Sequence, residues 1–398
     1  MKQDSFLDDL PALDPIIAHE VTDYGWRGLT GKGEVFEVRS QDPRHKAEPP
    51  ESLVEYVNGK RVGRRALPEK PRKGVVGKYL KHFNHALDLY KTNQFGEALA
   101  EVNAAAAIEP TVRTRFNRGL IQLSMGRWLE GFENYEARLE LVNPPLCRAA
   151  EAIGVPRWRG EEIIGKRLAI VQDAGYGDVI MVLRYVPLLA LMGIDVVLVV
   201  PHELRYLSFQ VAPVQDDARG ADYYCPSLSL LHALRQTPES VPTKPYLRAT
   251  GALVHKWKMR LGARRKVGIA WSVGRLVDGD FPRSIPLRQL VTALGNVDLY
   301  SLQTQGAEEA LDLGVNAFEI TDFSDVAALI ALMDEVVCID TAALNLAGAM
   351  GHPRTFALLG HWASWRWYNN AFYPGINLCR QTISGDWDSA LKQVTICQ

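Results

Sequence analysis

Between Pro156 and Leu359 the chain repeats one pattern six times: a short run of apolar, β-favouring residues, then a stretch of helical period. The runs are Arg167 to Gln172 (RLAIVQ), Asp195 to Val200 (DVVLVV), Val267 to Trp271 (VGIAW), Asp298 to Leu302 (DLYSL), Glu335 to Ile339 (EVVCI) and Thr355 to Leu359 (TFALL). A strand without polar alternation has to be covered on both faces, which is how parallel strands lie between helices. The expected class is therefore α/β, with doubly wound parallel sheets. A seam from Pro242 to Arg265, where Val-Pro-Thr-Lys-Pro leads to Arg264-Arg265-Lys266 before a fresh strand, divides it into two Rossmann-like halves, 151–262 and 263–398.

Two other kinds of sequence precede these halves. Residues 1–75 are rich in Pro, Gly and charge and predict an irregular arm or a small β-rich appendage; its second half, Lys60 to Lys78, is strongly basic, as a solvated linker also is. Residues 76–150 turn to helical period. Asn-Gln-Phe95-Gly-Glu-Ala98 aligns with Gly-Arg-Trp128-Leu-Glu-Gly131 at a spacing of 33, close to the helix-turn-helix period of tetratricopeptide repeats, and Pro110 and Pro144 stop the second helix of each unit. Two such units are too few to stand alone, so they are expected to lean on a neighbour.

At 398 residues the chain is long enough for two to three domains of about 150 residues each. Lys plus Arg number 45 against 46 for Asp plus Glu, so no global field draws it to nucleic acid or anionic lipid. The most apolar stretch, Met181 to Val200, contains Arg184, Pro187 and Asp195 and cannot span a membrane, and the acidic start MKQDSFLDDL does not read as a signal peptide. Five scattered cysteines without a C-x-x-C suggest neither a disulfide framework nor a zinc site, and a reducing, cytoplasmic setting is expected. The nine histidines show no metal-ligand spacing, so no metal is expected.

Gly160 to Arg167 has the glycine-lysine spacing of a phosphate-binding loop, but it precedes its strand and lacks the Ser or Thr that would hold magnesium. Better placed is Gly175-Tyr176-Gly177-Asp178, where the run RLAIVQ meets a helix; Asp178 there is either a plain cap or a carboxylate presented to a crevice. Its counterpart is Asp340-Thr341-Ala342, opening a helix of small residues whose free backbone N–H groups suit a phosphate. The loop after Trp271 carries Asp278, Asp280 and Arg283, and Arg283 is either a surface arginine or a cation facing a diphosphate. His361 to Tyr373 packs four aromatic residues into seven positions and six into twelve, Trp365 and Trp367 among them, which reads as base or sugar stacking or as a packed seam between domains.

Taken in order, Gly126-Arg-Trp128-Leu-Glu-Gly131-Phe-Glu-Asn-Tyr135-Glu-Ala-Arg138, Trp158-Arg-Gly160, Gly175-Tyr-Gly177-Asp178, Tyr246-Leu247, Gly268-Ile-Ala-Trp271, Arg283-Ser-Ile-Pro286, Ser301-Leu-Gln303, Asp340-Thr341-Ala and Trp365-Arg-Trp367 resemble bacterial tetratricopeptide proteins with a C-terminal glycosyltransferase module. That module is similar to the lipopolysaccharide heptosyltransferases and, more distantly, to O-linked N-acetylglucosamine transferases. The resemblance implies a GT-B type enzyme of two Rossmann-like domains, inverting and metal-independent, with the acceptor on the first half and a nucleoside-diphosphate sugar on the second. It puts the catalytic base on Asp178, the acceptor-side loop on Gly175, Tyr176 and Gly177, and the donor on Arg283, Gln303, Asp340, Thr341, Ala342 and Asn345. Trp271, Trp365 and Trp367 are the candidate stacking residues. Where the family usually has His, this chain has Asn345, which can donate a hydrogen bond but cannot carry a proton. The alternative is a non-catalytic scaffold on a degenerate transferase fold, holding a protein partner through the repeats. The acceptor, whether protein, glycan, lipid or nucleic acid, is left open.

Overall fold

Strands come first in the chain. In the computed structural model, β1 (Ile16–Thr22), β2 (Gly25–Thr30) and β3 (Val35–Arg39) form an antiparallel sheet in that order, and β4 (Ser52–Val57) pairs with β5 (Lys60–Ala66) as a hairpin. The structure describes residues 74–142, 144–273 and 283–394, and before them these five strands with Lys32 and Glu34. Asp278 and Asp280, Cys397, and Lys70, Arg72 and Lys73 of the basic run lie outside the described residues.

Helices follow. Val76, Tyr79, Phe83, Ala86 and Tyr90 recur at helical spacing and form the buried stripe of α1 (Val75–Lys91). It pairs with α2 (Phe95–Ile108), and Leu29 of β2 joins Val76, Tyr79, Phe83 and Ala105 in one apolar cluster. Thr111 and Thr114 cap α3 (Val112–Ser124) reciprocally, each hydroxyl bonding the other residue's N–H at 3.0 to 3.1 Å. Next is α4 (Trp128–Tyr135), which starts 33 residues after α2. A side chain at Gly131 would lie 2.8 Å from Leu123, so glycine is what lets α4 approach α3. Short helices α5 (Arg138–Leu141) and α6 (Pro145–Ala152) complete the helical region.

Contacts divide the chain into two compact units, Met1–Met125 with Glu130–Asn143, and Gly126–Leu129 with Pro144–Gln398. Both parallel sheets belong to the second. The first is built from β6 (Arg167–Val171), α7 (Tyr176–Val182), α8 (Val186–Leu191), β7 (Asp195–Val199), α9 (His202–Ser208), β8 (Val214–Gln215) and β9 (Tyr223–Pro226), in strand order β8-β7-β6-β9. Then come α10 (Ser229–Ala233) and α11 (Gly251–Lys258).

The second sheet is assembled from β10 (Lys266–Ala270), α12 (Leu287–Leu294), β11 (Asp298–Ser301), α13 (Ala307–Asp312), α14 (Phe323–Leu332), β12 (Glu335–Ile339), α15 (Ala342–Met350), β13 (Thr355–Leu359), β14 (Asn377–Arg380) and α16 (Trp387–Leu391), in strand order β11-β10-β12-β13-β14. All strand pairs in both sheets are parallel. Every residue of β12 and β13 is buried, as the apolar residues that follow Glu335 and Thr355 in these strands require. In each sheet the strand order reverses beside its first strand, between β6 and β9 in one and between β10 and β12 in the other. At such points the connections leave to opposite faces and open a crevice at the carboxyl ends of the strands.

Buried polar groups brace this unit. Glu335, fully buried at the start of β12, is held by Arg265 and by Arg354, whose Nη2 lies 2.7 Å from its carboxylate. Arg184, 3% exposed, donates to the carbonyls of Met181, Pro242 and Phe372 and lies against the rings of Tyr246, Phe372 and Tyr373. A buried guanidinium is tolerated only when paired in this way, and its removal takes a donor from each of these carbonyls.

Candidate functional site

A cavity of about 760 Å³ opens where the two sheets present their carboxyl ends. From the first sheet it is lined by Gly175, Tyr176, Gly177, Asp178 and Glu203; from the second by Arg283, Gln303, Asp340, Thr341, Ala342 and Asn345 and by the turn bearing Ser364 and Arg366. The two motifs singled out in the sequence, at Gly175 to Asp178 and at Asp340 to Ala342, thus face one space because each follows a central strand, β6 or β12.

On the first side, β6 ends at Val171 and the chain turns through Gly175 into α7. Asp178 occupies the first turn. One of its carboxylate oxygens, Oδ2, accepts from the Gly175 N–H at 3.1 Å, while Oδ1 accepts from Nη2 of Arg366. Gly175, not Asp178, is the N-cap of α7; Asp178 bonds back to it from the third helical position and also lines the cavity. Tyr176 meets Phe323 edge to face at 5.4 Å, and burial, with the Glu203 carboxylate beside it, raises its phenol above the ordinary value.

On the second side, β12 runs into Asp340 and Thr341, the N-cap of α15. Thr341 points its hydroxyl back to the Ile339 carbonyl at 3.2 Å, so no side chain caps the leading N–H groups of this nine-residue helix. Those groups and the positive end of the helix dipole face the cavity beside Thr341 and Ala342. Asn345, 1% exposed, donates from Nδ2 to the Thr341 carbonyl at 2.9 Å, and its Oδ1 is buried without a hydrogen-bond partner. Because the Thr341 carbonyl can only accept, the amide cannot be turned over. Arg283 stands with Nη1 4.0 Å from Oδ2 of Asp340, its side chain one-third exposed.

Gln303 lines the cavity but serves the backbone: its Oε1 accepts from the N–H groups of Trp271 and Ser272 at 2.9 and 3.2 Å, pinning the chain that leaves β10. The tryptophans take the packed alternative and not the stacking one. Trp271, Trp365 and Trp367 are 2, 2 and 1% exposed and are not among the lining residues. Trp271 belongs to the apolar core around the second sheet, Trp365 meets Trp128 and Phe372 edge to face, and Trp367 stacks on Tyr373. Burying such rings contributes more than a surface stack returns, which is why the cluster closes on itself.

Arg366 and Glu203 are among the lining residues to which the sequence reading gave no role. Arg366 stood inside a quoted motif, yet nothing local in the sequence marks it, since its partner Asp178 is 188 positions away. Among the described residues no group of three or more His, Cys, Asp or Glu is gathered as for a metal ion, and no helix is long and apolar enough to cross a membrane.

No protein-family model matches the chain. It is 28% identical over 363 residues to Protein FlbA of Caulobacter vibrioides, a match that covers 79% of this chain and 60% of that protein, so the chain spans three-fifths of the curated relative's length. A crystal structure of a glycosyl transferase family 9 protein from Veillonella parvula superposes with a TM-score of 0.43 at 10% identity, covering 60% of this chain and 92% of that one.

Proposed function

We propose that the protein is an inverting glycosyltransferase that moves a sugar from a nucleoside-diphosphate donor to an acceptor hydroxyl without a metal. One observation carries this reading: Asp178, Arg283 and the uncapped start of α15 converge on a single cavity at the carboxyl ends of two parallel sheets. Arg283 and the N–H groups at Thr341 and Ala342 hold the diphosphate, a pairing of charge-assisted donors with phosphate oxygens. The acceptor oxygen attacks the anomeric carbon from the side of the Gly175 to Asp178 turn as its proton passes to Asp178. The bond from that carbon to the diphosphate oxygen breaks, and its electron pair leaves with the nucleoside diphosphate. A leaving anion already stabilised by cations needs no second acid, in contrast with glycoside hydrolysis, where a carboxylic acid protonates the departing oxygen.

A second reading, a non-catalytic module on the same fold that grips a partner through the helices of residues 75–135, is favoured by the engagement of both Asp178 oxygens and by Asn345 in the place of a histidine. Thermal denaturation with UDP-, GDP-, ADP-, CMP- and dTDP-sugars separates ligand from no ligand, because anything that binds the native state raises its melting point. Release of nucleoside diphosphate from the sugar that binds, dependent on an added acceptor, then separates enzyme from module.

A further inference from the structure

Arg366 faces the crevice from the turn Trp365–Trp367, whose tryptophans are 2 and 1% exposed and hold the backbone in place. Its guanidinium reaches across to the first half of the unit and pairs with Oδ1 of Asp178, with side chains 12 and 18% exposed. That leaves the proposed base in a poor condition for its task. With the Gly175 N–H on Oδ2 and a guanidinium on Oδ1, each oxygen already accepts a hydrogen bond, and an acceptor hydroxyl has to displace one of these donors to reach the carboxylate.

The same guanidinium shares its cavity with Arg283 and the start of α15, where the proposed reading seats a diphosphate. A diphosphate carries more negative charge than one carboxylate and offers oxygens that match the planar fork of arginine. We infer that Arg366 is an exchangeable cation: it pairs with Asp178 in this structure, transfers to the diphosphate of a bound donor, and in leaving opens Oδ1 of Asp178 to the acceptor hydroxyl. The inference rests on the glycosyltransferase reading. It makes donor binding the event that arms the base, so that the acceptor proton is taken only when the anomeric carbon is in place.

The test is a double-substitution cycle with inorganic pyrophosphate as the probe, titrated calorimetrically into the full chain. Arg366→Ala should weaken pyrophosphate binding about tenfold or more, the scale of a lost charged hydrogen bond, and Arg366→Lys should restore part of it. Asp178→Asn frees the guanidinium and should tighten binding about threefold to tenfold. The decisive expectation is that Asp178→Asn has no such effect in the Arg366→Ala background. Equal tightening in both backgrounds means that the carboxylate acts only through its own charge, and no tightening in either makes the pair a fixed strut; each overturns the exchange while leaving the transferase reading standing. Circular dichroism on every variant identifies any that fails to fold, in which case the Lys variant carries the comparison. Failure of the unaltered protein to bind both pyrophosphate and every nucleoside-diphosphate sugar overturns the exchange and the transferase reading together.

Discussion

Gly177 and Asn345 close the floor of the crevice against each other. A Cβ placed on Gly177 would lie 2.9 Å from Nδ2 of Asn345 and 3.4 Å from Cα of Ala342, so α7 and α15 touch with nothing between them. The amide cannot retreat without giving up its hydrogen bond to the Thr341 carbonyl. Gly177→Ala is therefore expected to destabilise the protein by about 1 to 3 kcal/mol, the range of overpacked sites, and to lower the melting point accordingly. An unchanged melting point would show that the two helices separate freely.

The same contact sets the outcome at Asn345. Asn345→Asp replaces a donor with an acceptor-only carboxylate beside a carbonyl, in a site 1% exposed. Loss of the bond together with burial of an uncompensated charge should cost about 3 kcal/mol or more at neutral pH, with partial recovery in acid as the carboxyl takes a proton. Urea titrations at pH 7 and pH 5 measure this; equal losses at both pH values would place the side chain in contact with water.

These contacts also mark what the sequence could disclose. The central strands were readable because full burial on both faces leaves a run of apolar residues without polar alternation, as after Glu335 in EVVCI and after Thr355 in TFALL. The strands of the two parallel sheets that escaped notice are short edge pieces: Val214–Gln215 has two residues, Tyr223–Pro226 ends in proline, and Asn377–Arg380 begins and ends polar. The turns at Gly175 to Asp178 and Asp340 to Thr341 stood out since a strand-to-helix junction has a local signature. Arg366 did not, because a cation gains its meaning from the partner the fold brings to it. The aromatic run was visible, but which way each ring faces is decided by packing, and Trp365 and Trp367 faced inward.

For the proposed base, Asp178→Asn keeps the shape of the side chain and its cap on Gly175 while removing the proton acceptor. Turnover should drop by about 10² or more, within the usual range for a general base, and affinity for the donor sugar should not fall. Steady-state rates alongside calorimetric donor binding distinguish the two quantities. Turnover at the level of the unaltered protein would remove Asp178 from the chemistry.

Donor grip is tested at Arg283 and Thr341. Arg283→Ala should weaken nucleotide-sugar binding by about 1 to 3 kcal/mol, because a charged partner of the diphosphate is lost. Thr341→Val removes a hydroxyl that already bonds the Ile339 carbonyl, so its effect should come through a loosened start of α15 and be smaller, about 1 kcal/mol. EDTA should leave binding and turnover unchanged. Full affinity in Arg283→Ala would put the diphosphate elsewhere in the cavity.

The remaining prediction concerns pH and stability, and it centres on His352, just beyond the end of α15. Its ring nitrogens lie 3.1 Å from Oγ1 of Thr355 and 3.1 Å from the Met333 carbonyl, and burial lowers its pKa below the ordinary value of 6.5, against the opposing pull of nearby Asp334 and Glu335. A histidine lowered in the folded state stays neutral there while the unfolded chain already takes up a proton. Below about pH 6.5 the unfolded state thus binds more protons, and the contribution of His352 shrinks as the pH falls toward its folded value. His352→Gln keeps one donor and one acceptor in the site without a group that titrates. The variant should be less stable than the unaltered protein at pH 7.5, by about 1 kcal/mol, and the gap should narrow steadily between pH 6.5 and pH 5. Urea denaturation of both proteins across that range provides the measurement, and since all other titrating groups are shared, they cancel in the difference. A gap that stays constant or widens in acid would mean that the ring is charged in the native state.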